Sequence, residues 1–197
     1  MKFSGYTGLL IILLIPLYGC VNAAMTSVQA FYNRHSIQKS LSDQYITIQA
    51  YQALHTNDNR FKDVNISIAT YNNEVLLAGQ TPHLWQKLEV ERTVKQIADV
   101  ERVYDTITIA NPSSTLTRIS DTWITTKIKA KLLTSADVDA TRIKVVTENG
   151  VVYLMGILPP DEAKTALSMA SSTGGVAKVV NLFSYIKITK EQLFPQG

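Results

Sequence analysis

Beyond residue 42 the apolar positions of this chain follow two rhythms, one of helical and one of strand period, and their order occurs twice. In residues 121–133, Ile124, Ile128 and Leu132 stand four apart, the spacing of a helix with one buried stripe. Ser120 or Asp121 sits where an N-cap belongs. Residues 142–147 alternate through Ile143, Val145 and Thr147, as a half-buried strand does. Asn149-Gly150 reads as a two-residue hairpin turn, because both positions tolerate positive φ. A second strand runs through Val152 and Leu154 to Gly156. Pro159-Pro160 then opens a helix carrying Ala163, Ala166, Leu167 and Ala170. Gly174-Gly175 ends it, and a last strand covers about residues 176–188. The order is αββαβ.

The same order precedes it. Ser42-Asp43-x-x-Ile46-Thr47 matches Ser120-Asp121-x-x-Ile124-Thr125, with Leu54 matching Leu132. Further on, Ile66, Thr70, Asn72, Val75, Leu77, Gly79 and Pro82 match Ile143, Thr147, Asn149, Val152, Leu154, Gly156 and Pro159, and Val100 and Val103 match Val176 and Val179. The predicted fold is α+β: two tandem αββαβ domains, residues 43–110 and 118–190, each a three-stranded mixed sheet packed with two helices. The β–α–β step puts a parallel pair beside each hairpin. Residues 111–117, which include Asn111-Pro112-Ser113-Ser114, read as the linker, and 191–197 as a tail. Residues 20–42 are weakly patterned and read as a flexible tether.

The N-terminus has another character. Lys2 precedes an apolar run, Leu9 to Leu17, far shorter than the ~20 residues that span a bilayer as a helix. It reads as a signal peptide of residues 1–19. Leu17-Tyr18-Gly19-Cys20 follows and contains the chain's one cysteine. This stretch resembles the bacterial lipobox, with Tyr18 where a small residue is usual. The resemblance implies that Cys20 carries the lipid anchor, and Val21 after it implies the outer membrane.

A lone cysteine excludes an intrachain disulfide and a thiolate zinc cluster. His35, His55 and His83 have no ligand-sharing spacing, and His55 and His83 fall at helix ends. There is no Gly-x-Ser-x-Gly elbow, Walker loop or Gly-x-Gly-x-x-Gly, so neither a catalytic site nor a cofactor site is expected. The net charge of +3 hides a polarity. Residues 43–110 carry six basic against nine acidic residues, a net of −3, whereas residues 118–190 carry ten against six, a net of +4. Export argues against nucleic acid, so the basic copy is suited to an anionic surface. On a helical projection centred on Ile128, Trp123, Thr126, Ala130 and Leu133 face away from the core, flanked by Lys127 and Lys129, with Lys131 nearer the core edge. An apolar face rimmed by lysine fits interfacial membrane binding, although Trp123 and Leu133 could instead pack on the other copy or on the tether. The first copy has Tyr45, Ile48, Gln52 and His55 there, without lysine.

A lipobox followed by two αββαβ repeats, with the stretches Asp121-Thr122-Trp123-Ile124-Thr125-Thr126-Lys127 and Thr147-Glu148-Asn149-Gly150-Val151-Val152-Tyr153-Leu154-Met155-Gly156, resembles the dual-BON-domain lipoproteins of the Gram-negative outer membrane. It is most similar to their division- and outer-membrane-stress-associated lipid-binding members. The resemblance implies a lipid-anchored, non-enzymatic protein on the periplasmic face. It would bind anionic phospholipid such as phosphatidylglycerol through the first helix of the second domain and support envelope integrity, including at the division septum. The other reading is a scaffold that binds an envelope protein, such as the outer-membrane protein assembly machinery, through the acidic first domain.

Overall fold

The structure is a computed structural model and describes residues 27–55 and 59–186. The expected signal peptide, Cys20 and the tail at 191–197 lie outside the described residues. The element order is α1 (Ser27–His55), β1 (Asn65–Tyr71), β2 (Glu74–Thr81), α2 (Leu84–Lys95), β3 (Arg102–Ile109), α3 (Thr115–Thr134), β4 (Ile143–Glu148), β5 (Val151–Leu158), α4 (Pro160–Ser171) and β6 (Lys178–Tyr185). The two αββαβ units are therefore present. Each forms its own three-stranded sheet, β1-β2-β3 and β4-β5-β6, with an antiparallel hairpin and a parallel third strand. Chain packing separates residues 1–37 from residues 38–197, and both sheets lie in the second unit.

Two sequence expectations need correction. The stretch read as a tether is helical from residue 27 onward, in one helix with the first repeat. Weak patterning does not prevent a helix there, since no Gly or Pro occurs between Ser27 and Gly79 to break one. Likewise α3 begins at Thr115, inside the expected linker, with Ser114 as the N-cap accepting from the Thr117 N–H at 3.1 Å.

Asp121 is thus no cap. It lies within the helix, 5% exposed, and its two carboxylate oxygens accept from the Asn149 and Gly150 N–H groups at 2.9 and 2.8 Å. Those turn residues have φ of 50° and 73°, as a type I′ hairpin requires. The first copy repeats the device: Asp43 accepts from the Asn72 and Asn73 N–H groups, both at 2.8 Å. One turn further along each helix, Thr47 donates to Thr70 and Thr125 to Thr147. The shared Asp-x-x-Ile-Thr motif therefore ties each first helix to its own hairpin. The shared glycines have a steric reason. A Cβ on Gly79 would stand 2.0 Å from the Asn65 carbonyl oxygen, and one on Gly156 2.5 Å from that of Arg142.

Each helix pair covers one face of its sheet. Ile46, Ala50 and Leu54 of α1 and Val90 and Val94 of α2 meet Ile66, Ile68, Val75, Leu77 and Ile107. In the second copy Ile124, Ile128 and Leu132 of α3 and Ala163, Ala166 and Ala170 of α4 meet Val145, Val152, Leu154, Leu158 and Phe183. The opposite sheet faces pack on each other: Ala69, Leu76 and Ala78 form a common core with Tyr153 and Met155. The layer order is helices, sheet, sheet, helices.

A buried polar cluster closes this interface. Glu148 accepts from Gln80 Nε2 at 2.9 Å, Ser67 Oγ at 3.0 Å and Asn65 Nδ2 at 3.3 Å. Lys144 reaches across to the Thr70 carbonyl oxygen at 3.2 Å. Lys144 is exposed as a whole residue, and the partial burial of its ammonium lowers its pKa from the ordinary lysine value, with Asp43 opposing the shift and Lys129 adding to it. Glu148→Gln keeps the shape but aims an amide at groups that donate, so it should lower stability by about 1–2 kcal/mol. Urea unfolding checks this, and an unchanged midpoint would remove the cluster's role.

Candidate functional site

Twenty residues without Gly or Pro, capped by Ser114, give α3 about 30 Å of length. The buried stripe Asp121, Ile124, Ile128 and Leu132 fixes its rotation on the sheet. The face turned outward is then set by spacing. Leu116, Ile119, Trp123, Thr126, Ala130 and Leu133 recur at intervals of three and four residues along the whole helix. Leu116 is 79%, Ile119 61%, Trp123 61% and Leu133 71% exposed. Trp123 is therefore not packed into the other domain, the alternative that the sequence left open. Thr126 does not interrupt the apolar line, because its hydroxyl donates to the Thr122 carbonyl of its own helix at 2.9 Å.

The rim is cationic. The Lys127 ammonium lies 5.3 Å from the centre of the Trp123 ring, within cation–π range. Lys129 is exposed on one flank, and Arg118 donates to Thr115 within the first turn. Lys131 points toward α4 and donates to the Ser172 carbonyl at 3.4 Å. The helix's one acidic residue, Asp121, is buried and committed to the hairpin. Among the described residues no ion pair neutralises Arg118, Lys127 or Lys129. The face thus combines several exposed apolar side chains with uncompensated positive charge.

All six predicted site residues share this face or its flank. Sequence reasoning missed Leu116, Arg118 and Ile119, because residues 111–117 were set aside as linker and the projection began at 121. The signal was there: stepping back four and then three residues from Trp123 gives Ile119 and Leu116.

The equivalent face of α1 exposes Leu41, Tyr45 and Ile48. It carries no lysine along that line, and His55 closes it with a ring nitrogen 3.0 Å from the Tyr51 carbonyl. Among the described residues no helix is long and apolar enough to cross a membrane. No group of three or more His, Cys, Asp or Glu side chains there could hold a metal.

The BON domain family matches residues 42–111 and 120–187. The chain belongs to that family, as a dual-BON outer-membrane lipoprotein of the DolP kind. It is 29% identical over 177 residues to the outer membrane lipoprotein DolP of Haemophilus influenzae, covering 87% of this chain and 91% of that one. It is 35% identical over 126 residues to the 21 kDa hemolysin of Actinobacillus pleuropneumoniae, covering 64% and 65%. Over 144 residues it is 33% identical to the osmotically-inducible protein Y of Escherichia coli, covering 72% and 71%.

Proposed function

We propose that this lipoprotein acts without catalysis, as a membrane-surface module whose helix α3 binds anionic phospholipid from the periplasmic side of the outer membrane. Cys20 would carry the lipid anchor, and the role would be envelope integrity. The observation that carries the reading is the outward face of α3, where Leu116, Ile119, Trp123, Ala130 and Leu133 are exposed between Arg118, Lys127 and Lys129. An amphipathic helix of this composition lies in the plane of a bilayer surface.

Magnitudes fit a supporting contact. Each basic residue near an anionic surface contributes about 1 kcal/mol. Three of them with a partly inserted indole total about 5 kcal/mol, a submillimolar affinity. That is weak for a free protein and sufficient for an anchored one, since the second contact is then intramolecular. The test is co-sedimentation of the soluble mature protein with vesicles. Binding should rise with phosphatidylglycerol content and fall with salt, whereas equal binding to pure phosphatidylcholine would remove the anionic preference. Cys20→Ser should release the protein from cell membranes on fractionation, and its retention through a carbonate wash would count against the anchor.

A further inference from the structure

We propose that α2 carries a second docking surface, Leu84, Trp85 and Leu88, which takes an uncharged apolar segment of another protein on the water side of the membrane. Each of the three side chains is more than half exposed. The His83 ring stacks on the Trp85 indole at 6.2 Å and 13°, which steadies it. The αββαβ fold does not need this patch. At the same positions of the second copy, 77 residues on, α4 has Asp161, Glu162 and Thr165. What two copies of one domain share belongs to folding, and where they diverge toward exposed apolar surface a contact is the economical account.

Charge and layering narrow the occupant. Around this patch the charges cancel among themselves. Glu89 binds both Arg92 and Arg60 at 2.7 Å, Glu91 binds Lys95 at 2.6 Å, and Lys87 sits 3.4 Å from Asp105 while donating to the Ile107 carbonyl. Among the described residues Arg60, Lys87, Arg92 and Lys95 are each held by a carboxylate, so this rim draws phosphate less than the face of α3, whose Arg118, Lys127 and Lys129 have no ion pair. The four layers also place α2 and α3 on opposite outer surfaces. When α3 lies on a bilayer, a step that rests on the function proposed above, the α2 patch points away from it. A second copy on the same bilayer would turn its α2 the same way, so the two patches could not meet. Three side chains cover well under the ~800 Å² per partner of a stable complex, so this is a transient contact with Trp85 as its anchor.

The experiment uses the full-length, anchored protein in its native cells, with photoreactive benzoylphenylalanine at position 88, or at 165 on the sister helix. Position 88 should give one discrete adduct that position 165 lacks, and Trp85→Glu should abolish it. Trp85→Glu will fold, since Glu162 occupies that place in the second copy. The partner, identified by mass and purified, should bind the Trp85→Glu protein at least tenfold more weakly than wild type. An adduct of twice the chain's mass, identical adducts from 88 and 165, or no protein adduct would overturn the proposal. So would a Trp85→Glu protein that loses vesicle binding, since the patch would then be a membrane contact. Loss of the membrane reading itself shows separately, as vesicle binding unaffected by changes on α3.

Discussion

Trp123→Glu should lower vesicle binding by about a hundredfold while leaving the fold intact. The indole is apolar with one N–H, which suits the boundary between head groups and acyl chains. Removing it forfeits about 2 kcal/mol of buried apolar contact, and a carboxylate among phosphates costs about 1 kcal/mol more. At 1.4 kcal/mol per decade the sum is about two decades. Folding survives because Trp123 stands outside the core stripe of Ile124, Ile128 and Leu132, and is 61% exposed. Lys127→Glu acts through charge, losing a cation and adding an anion at about 1 kcal/mol each, so it should cost about thirtyfold at low ionic strength and fade in high salt. Co-sedimentation with phosphatidylglycerol vesicles, on protein shown folded by circular dichroism, measures both. A Trp123→Glu protein that binds like wild type would leave α3 without a membrane role.

Asp121→Ala is the largest expected loss of stability, about 3–4 kcal/mol. The side chain is buried and makes two charge-assisted hydrogen bonds to the N–H groups of a type I′ turn. Its removal strands both donors beneath the helix, each at a cost of about 1–3 kcal/mol. The turn needs positive φ at Asn149 and Gly150, and those two bonds hold it there. Asp43→Ala should act in the same direction and by less, since Asp43 is only half-buried. Urea unfolding of the two variants tests the comparison, and a smaller effect at Asp121 than at Asp43 would contradict it.

That aspartate shows both how far the sequence could be read and where reading stopped. The repeated Ser-Asp-x-x-Ile-Thr was visible as a repeat, and with Asn149-Gly150 it led to the correct αββαβ order. Its role was misjudged because a Ser-Asp pair before an apolar period has the form of an N-cap. Only the longer helix, starting at Thr115, moves Asp121 inward to face the hairpin. The contact between the two sheets was also written in the chain and not read. Val75-Leu76-Leu77-Ala78 and Val152-Tyr153-Leu154-Met155 are unbroken apolar runs, and a strand of that kind is buried on both faces. Val75, Leu77, Val152 and Leu154 meet the helices, and Leu76, Ala78, Tyr153 and Met155 meet the other sheet. Periodicity gives the inner face of each strand and cannot name what covers the outer one.

The face of α3 was legible in its second half for the same reason that its first half was missed. From Trp123 to Leu133 the helical projection had a core stripe to refer to. Before Asp121 no core residue anchors it, since Leu116 and Ile119 are exposed and Thr115, Thr117, Arg118 and Ser120 are polar. An apolar line continuing beyond the part of a helix that touches its own domain has another surface to meet.

The position of that indole can be measured alone. The chain has two tryptophans, so Trp85→Phe leaves Trp123 as the single reporter. Its emission is followed as vesicles are added whose phosphatidylglycerol carries bromine on the acyl chains. Insertion of α3 predicts a shift to shorter wavelength and strong quenching, both absent with brominated phosphatidylcholine alone. Emission that stays unshifted and unquenched while the protein sediments with the vesicles would show that it binds by another face.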